Sequence, residues 1–143
     1  MARVFLDANI FLYATGGEGP HRQFCPAVLR AVAEGALDGA TSTEVLQEIL
    51  HVRARRFGRA AAGTAVRAAS ALVADVLPVR REDVRAACDL LNRHPQFGAR
   101  DAGHVGVMIN AQIPVLVSVD QDFDVLNTVR RVSPEAALGL GGV

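Results

Sequence analysis

The sequence predicts an α/β fold, with a mostly parallel central sheet of four to five short strands and helices packed around it. Three observations lead there. The run of residues 113–119, Ile-Pro-Val-Leu-Val-Ser-Val, is apolar and rich in β-branched residues, the pattern of a strand buried on both faces. A second apolar run, Val4-Phe5-Leu6, opens the chain and, like the first, is ended by an aspartate. Between and around these runs lie segments with helical spacing of apolar residues, and strands alternating with helices imply a parallel sheet.

The elements follow in order. Val4 to Leu6 reads as a strand, Asp7 as the end of it, and Ile10-Phe11-Leu12-Tyr13 as the start of a helix after a tight turn. Gly16, Gly17, Gly19 and Pro20 make a loop. Residues 22–34 place Phe24, Val28, Leu29 and Val32 at helical spacing and stop at Gly35. Residues 37–41 suit a brief second strand. Thr41-Ser42-Thr43-Glu44 opens the next helix, Glu44 standing three residues after Thr41 as a capping box requires; Val45, Leu46, Ile49, Leu50 and Val52 form its apolar side and Gly58 closes it. An alanine-rich helix over 60–73, a strand over 76–79, a helix over 81–92 and a loop over 94–98 come next. Residues 101–111 read as a helix, weakened by Gly103 and Gly106. The strand 113–119 and a short strand over 129–132 complete the sheet. One domain over 1–135 is expected, with a glycine-rich tail over 136–143.

Composition narrows the function classes. A chain of 143 residues suits one domain that buries about two thirds of its unfolded surface. No apolar run approaches the roughly 20 residues that cross a bilayer, and Asp7 interrupts the apolar N-terminus before it can serve as a signal sequence, so a cytoplasmic protein is expected. Cys25 and Cys88 are far apart, with no CxxC or Cys/His spacing; they are expected as two reduced, buried thiols. The formal charge is zero, which announces no nucleic-acid binding. All 15 basic residues are nonetheless arginine, the side chain best suited to gripping phosphate. A P-loop and a GxSxG elbow are both missing from the sequence.

The acids carry the chemistry. Asp7 and Asp120 each stand where a strand ends, and ligands of open parallel sheets bind beyond the carboxyl ends of strands. Asp101 stands at the start of the helix before the best strand, where capping that helix is the competing reading. Glu48 lies inside a helix among apolar neighbours and has no comparable capping role; Glu44, one turn earlier on the same face, is read as structural, with the role of second acid as its alternative. Such acids, brought together alone, would repel and partly stay protonated, and a hard cation with oxygen ligands removes that penalty.

These segments resemble the PIN-domain family, and specifically its VapC-type toxins. VFLDANIFLYA resembles the family's hydrophobic strand followed by Asp-x-Asn, TSTEVLQEIL the segment supplying a glutamate, and ARDAGHVGVMINAQIPVLVSVDQDFD the third and fourth acidic segments. The match covers about residues 3 to 133. It implies a three-layer α/β/α PIN-like domain and a Mg²⁺- or Mn²⁺-dependent ribonuclease, the toxin of a type II toxin–antitoxin pair, leaving 5′-phosphate and 3′-hydroxyl ends. The resemblance makes Asp7, Glu48, Asp101 and Asp120 the metal-binding acids and Asp124 a candidate fifth, with Asp122 on the surface. Asn9 and Ser118 become supports that orient acids or water. His104, one turn after Asp101, either lines the site or is a satisfied, partly buried histidine.

The same resemblance implies an RNA substrate, a VapB-type antitoxin and a homodimer. The chain has no tryptophan, one tyrosine and six phenylalanines, most of these in apolar patterns expected to face the core, so a base-stacking platform is not expected and RNA contact falls to arginine. Arg53 and Arg56 in one basic stretch and Arg81 in another are the candidates, a solvated helix end being the alternative for each. Two other functions compete: a PIN module without catalysis that binds RNA or protein, and a phosphatase with Asp7 as nucleophile. The second is disfavoured by Asn9, where such enzymes carry an acid, and by the missing lysine.

Overall fold

The computed structural model describes residues 3–14, 19–21 and 23–141. The expected loop at Gly16 and Gly17, the first residue of the 22–34 helix and the last two residues of the tail lie outside these. Strand β1 is Arg3–Leu6, α1 Ala8–Ala14, α2 Phe24–Ala33, β2 Asp38–Ser42, α3 Thr43–Phe57, α4 Arg59–Leu72 and β3 Asp75–Leu77. Then follow α5 Arg81–Arg93, α6 Ala99–Ala111, β4 Val115–Val117, a 3₁₀ turn Gln121–Val125, β5 Arg130–Val132 and α7 Pro134–Leu140.

The five strands lie in the order β3-β2-β1-β4-β5 and every pairing is parallel. The chain travels outward from β1 through β2 to β3, then crosses back to β4. With right-handed crossovers, the two directions of travel put α1–α4 on one face and α5–α6 on the other. The packing agrees: α1 with α2, α3 with α4, α7 with α2, and α5 with α6. Strands β1 and β4 are the sealed centre of the three layers, with Val4, Phe5, Leu6, Leu116 and Val117 wholly buried. Strand order reverses between β1 and β4, and a crevice opens at such a switch point beyond the carboxyl ends. At the opposite end of the sheet Arg3 bridges Asp38 on β2 and Asp75 on β3.

Several elements differ from the sequence reading. Strand 113–119 is shorter, Val115–Val117. Pro114 has no N–H for the ladder. Beyond Ser118, the N–H groups of Val119 and Asp120 bond the side chains of Asn9 and Ser118 instead of a strand. The 76–79 strand ends at Leu77, before Pro78, and the Val79 N–H turns to Thr43 Oγ1. Thr41 does not cap α3: it is buried in β2 and donates to the Leu6 carbonyl, so the cap moves one residue on, to Ser42, whose Oγ accepts from the Val45 N–H. Residues 134–140 form α7, with Ser133 as its cap and Ala137 buried, where a tail had been expected from 136.

Cys25 is buried, which pushes its thiol up to about 11. Cys88 is exposed, against expectation: the inward positions of α5 are Asp83, Ala87 and Leu90, so Cys88 turns outward. Gly106 has a packing reason that its helix propensity hid. A Cβ there would run into the Asp83 carbonyl of α5, so the glycine lets the two helices approach.

Candidate active site

Asp7 is the first residue past β1, and only 5% of it is exposed. A buried carboxylate needs donors, and three supply its hydrogen bonds, two from the adjoining chain and one from the end of β4. The Ala8 N–H reaches Oδ1 at 2.8 Å, while the Ser118 hydroxyl at 2.7 Å and the Asn9 amide at 3.2 Å reach Oδ2. Ser118, wholly buried just past β4, in turn accepts from Asn9 Nδ2 and from the Asp120 N–H. Asn9 closes the loop by accepting the Val119 N–H. The expected supports, Asn9 and Ser118, thus couple the ends of β1 and β4.

Three more acids converge on that corner. Asp101 is in the first turn of α6, which starts at Ala99, two residues earlier than expected. Burial raises its carboxyl above 3.8, as do the charges of Asp7 and Asp120; His104 and a hydrogen bond from the Gly98 N–H oppose this. It therefore satisfies the capping reading and lies within reach of the other acids' fields. Asp120 caps the 3₁₀ turn by accepting the Asp122 N–H at 2.9 Å. Glu48 projects from α3, and its Oε1 lies 3.1 Å from His104 Nε2. The Asp7 carboxyl is raised by burial, with His104 and the Ser118 hydrogen bond opposing and Glu48 adding to it.

His104 is more than a satisfied, partly buried residue. It is wholly buried, its Nε2 faces Glu48 and stands 3.8 Å from Asp7 Oδ1, and its Nδ1 has no hydrogen-bond partner among the described residues. Burial lowers the affinity of this imidazole for a second proton, but the Glu48 hydrogen bond and the charges of Asp7, Glu48 and Asp101 outweigh it, and the net shift is upward.

The remaining candidates stand at the margin. Both oxygens of the exposed Asp124 bond Arg131, at 2.7 and 3.2 Å, which holds the carboxyl below the usual range; the same Arg131 donates to the Ser118 carbonyl. Asp122 is exposed, as expected. Glu44 pairs with Arg100 at 3.4 Å instead of closing a capping box. Arg53 donates to the Leu12 carbonyl and lies with Arg56 over the Phe57 ring, and Arg81 is exposed on the first turn of α5. Arg100 and Arg131, beside Asp101 and Ser118, were missed in the sequence. Only the adjacency of Arg100 to Asp101 could have drawn attention to it.

Four carboxylates with no sulfur ligand are the donor chemistry of a hard cation. Among the described residues no three of the side chains close into a ligand cage. Mg²⁺ does not require one, because it keeps several waters and takes one or two carboxylates. Burial is the main cause of the upward shifts of Asp7 and Asp101; the charge of Glu48 adds to the first and those of Asp7 and Asp120 to the second, and a dication would relieve that added repulsion. Among the described residues, no helix is long and apolar enough to cross a membrane.

Comparison with known proteins identifies the family. Ribonuclease VapC13 of Mycobacterium tuberculosis is 35% identical over 130 residues, covering 91% of this chain and 99% of the relative; a VapC ribonuclease of Mycobacterium bovis gives the same figures. Ribonuclease VapC7 of Mycobacterium tuberculosis is 33% identical over 135 residues, covering 94% and 93%. In fold, the crystal structure of Mycobacterium tuberculosis VapC20, a Sarcin-Ricin loop cleaving toxin, matches with a TM-score of 0.72 at 24% identity, covering 88% of this chain and 96% of that one. DNA-bound VapBC from Salmonella typhimurium matches with a TM-score of 0.70 at 15% identity, covering 94% and 99%. The profile of the PIN domain matches residues 4–128. The chain belongs to the PIN domain family.

Proposed function

We propose that this chain is the toxin of a type II toxin–antitoxin pair, a divalent-metal-dependent endoribonuclease that hydrolyses RNA phosphodiester bonds in the cytoplasm. One observation supports the reading: acids from four separate segments act on one another through their charges beside the β1/β4 switch point, Glu48 on Asp7, and Asp7 and Asp120 on Asp101, in a chain whose relatives are VapC ribonucleases.

These four acids would hold Mg²⁺ or Mn²⁺. When bound, the ion supplies Lewis-acid polarisation of a phosphoryl oxygen and lowers the pKa of a water. The chain's own contribution is positioning. Ser118, Asn9 and the Ala8 N–H fix the orientation of the Asp7 carboxylate, and the Asp122 N–H fixes that of Asp120. Arg53, Arg56 and Arg81 are assigned as outer phosphate contacts, with Arg100 and Arg131 nearer the acids. An antitoxin of the VapB kind is the assigned partner, supported by fold neighbours solved as VapBC complexes, and a homodimer the assigned state.

A PIN module without catalysis would not need four acids held against their mutual repulsion, and an Asp7 nucleophile would have to work with both oxygens already hydrogen-bonded. The deciding experiment incubates the purified chain with RNA in Mg²⁺, in Mn²⁺ and in excess EDTA, with a small phosphoester as control. Cleavage is expected only with metal and only of RNA, leaving 5′-phosphate and 3′-hydroxyl ends. Full cleavage in EDTA, or 2′,3′-cyclic phosphate products, overturns the reading.

A further inference from the structure

We propose that His104 is the positioning residue of the acidic centre: its Nε2–H binds Glu48 beside Asp7 and holds the glutamate, which arrives on a different helix, at the place where a divalent cation is taken. The inference deepens the metal-dependent reading above and rests on it.

Three observations lead to it. His104 is wholly buried on α6, tilted against the Phe5 ring with centroids 6.1 Å apart. An apolar side chain could pack against that ring as well. The imidazole instead leaves Nδ1 buried and without a hydrogen-bond partner among the described residues, and an unmet buried polar atom costs about 1–3 kcal/mol. A residue kept only for packing has no reason to carry that cost.

The second observation is the position of the other nitrogen. Nε2 lies 3.1 Å from Glu48 Oε1 and 3.8 Å from Asp7 Oδ1. Ionised carboxylates only accept hydrogen bonds, so the proton of this contact sits on Nε2. The third is the way the two acids are otherwise held. Asp7 is fixed by Ala8, Asn9 and Ser118 through local and strand-end contacts. For the Glu48 carboxylate, His104 is the partner the structure records. Since Glu48 and Asp7 repel, the Nε2–H is what draws the α3 acid inward toward the β1 acid.

The test separates donor from filler. In His104→Gln the amide nitrogen stands close to the place of Nε2, whereas in His104→Asn the shorter side chain stops near the place of Nδ1 and cannot reach Glu48. His104→Leu fills the volume without a donor. Each variant is titrated with Mn²⁺ by calorimetry, with no RNA present, and its folding is checked by thermal unfolding in EDTA. We expect the Asn and Leu variants to lose Mn²⁺ affinity by 10- to 100-fold, the usual scale for removing a partner that orients a ligand, and the Gln variant to stay within about threefold of the parent. If the Leu variant does not fold, the Gln and Asn pair still decides. Equal affinity in all variants, equal loss in Gln and Asn, or no Mn²⁺ binding by the parent overturns the proposal. If the parent fails to cleave RNA while Mn²⁺ affinity follows the expected order, the ribonuclease reading fails and the positioning role of His104 stands.

Discussion

The Ser118 hydroxyl lies 2.7 Å from Asp7 Oδ2 and joins the end of β4 to the end of β1 across the point where strand order reverses. The same oxygen accepts from Asn9 and from the Asp120 N–H, so three site residues depend on one buried hydroxyl. Ser118→Ala should destabilise the fold by about 1–3 kcal/mol, the cost of leaving buried polar groups unmet, and should reduce RNA cleavage at least tenfold. Urea unfolding and a cleavage time course measure the two. An alanine variant with parental activity would show that Asp7 needs no help from β4.

Gly106 and Gly103 lie on one helix and make opposite predictions. A Cβ at Gly106 meets the Asp83 carbonyl, while a Cβ at Gly103 meets nothing within 4 Å. Gly106→Ala should therefore destabilise by about 1–3 kcal/mol through overpacking. Gly103→Ala should stabilise by up to about 1 kcal/mol, the propensity difference. Thermal unfolding of the two variants is the measurement, and equal effects would mean that α5 and α6 can part without cost.

Without metal, stability should fall as pH rises. Burial lifts the Asp7 carboxyl above 3.8; burial, then the charges of Asp7 and Asp120, lift Asp101. The folded chain thus keeps protons that the unfolded chain has released, and each acid costs stability as pH climbs from 3.8 through its raised folded value. Burial of His104 acts the other way but is outweighed by the Glu48 hydrogen bond and the neighbouring acids, so its folded value lies above 6.5. Its stabilisation is complete below 6.5 and lost as pH rises through that folded value. All three groups act in one direction. In EDTA the unfolding temperature should decline over the interval above pH 6.5, the ordinary histidine value from which His104 is shifted upward, and Mg²⁺ should flatten the decline. A rising unfolding temperature over that interval in EDTA would contradict the upward shifts.

The sheet was legible because β1 and β4 are buried on both faces and so appear as plain apolar runs; every strand that was expected is present. Boundaries were less legible where side chains compete with the backbone for hydrogen bonds. Ser118 and Asn9 take N–H groups that would have prolonged β4, and Thr41 is occupied by the Leu6 carbonyl, which a local capping pattern could not reveal. The acids at strand ends were readable from position alone. Contacts between distant segments were not: the bond between Glu48 and His104 spans 56 positions, and the Arg131 bridge joins Asp124 to the Ser118 carbonyl only once β5 pairs with β4.

The acids themselves separate by role. Asp101→Asn keeps size and hydrogen-bonding capacity but removes a charge that a divalent cation needs, so metal affinity and cleavage should fall together by at least 10- to 100-fold. Stability in EDTA should hold or rise, because the repulsion from Asp7 and Asp120 is relieved. Glu48→Gln should lose activity in the same way, although its amide oxygen can still accept from His104. Glu44 is different, since its carboxylate pairs with Arg100 at 3.4 Å, with both side chains partly exposed. Such a pair is worth at most about 1 kcal/mol, and Glu44→Gln should leave cleavage within a few-fold of the parent. Three purified variants, a cleavage time course and a magnesium titration suffice. An inactive Glu44→Gln beside a normal Glu48→Gln would move the metal-binding role to Glu44, and with it the meaning of the hydrogen bond that His104 makes.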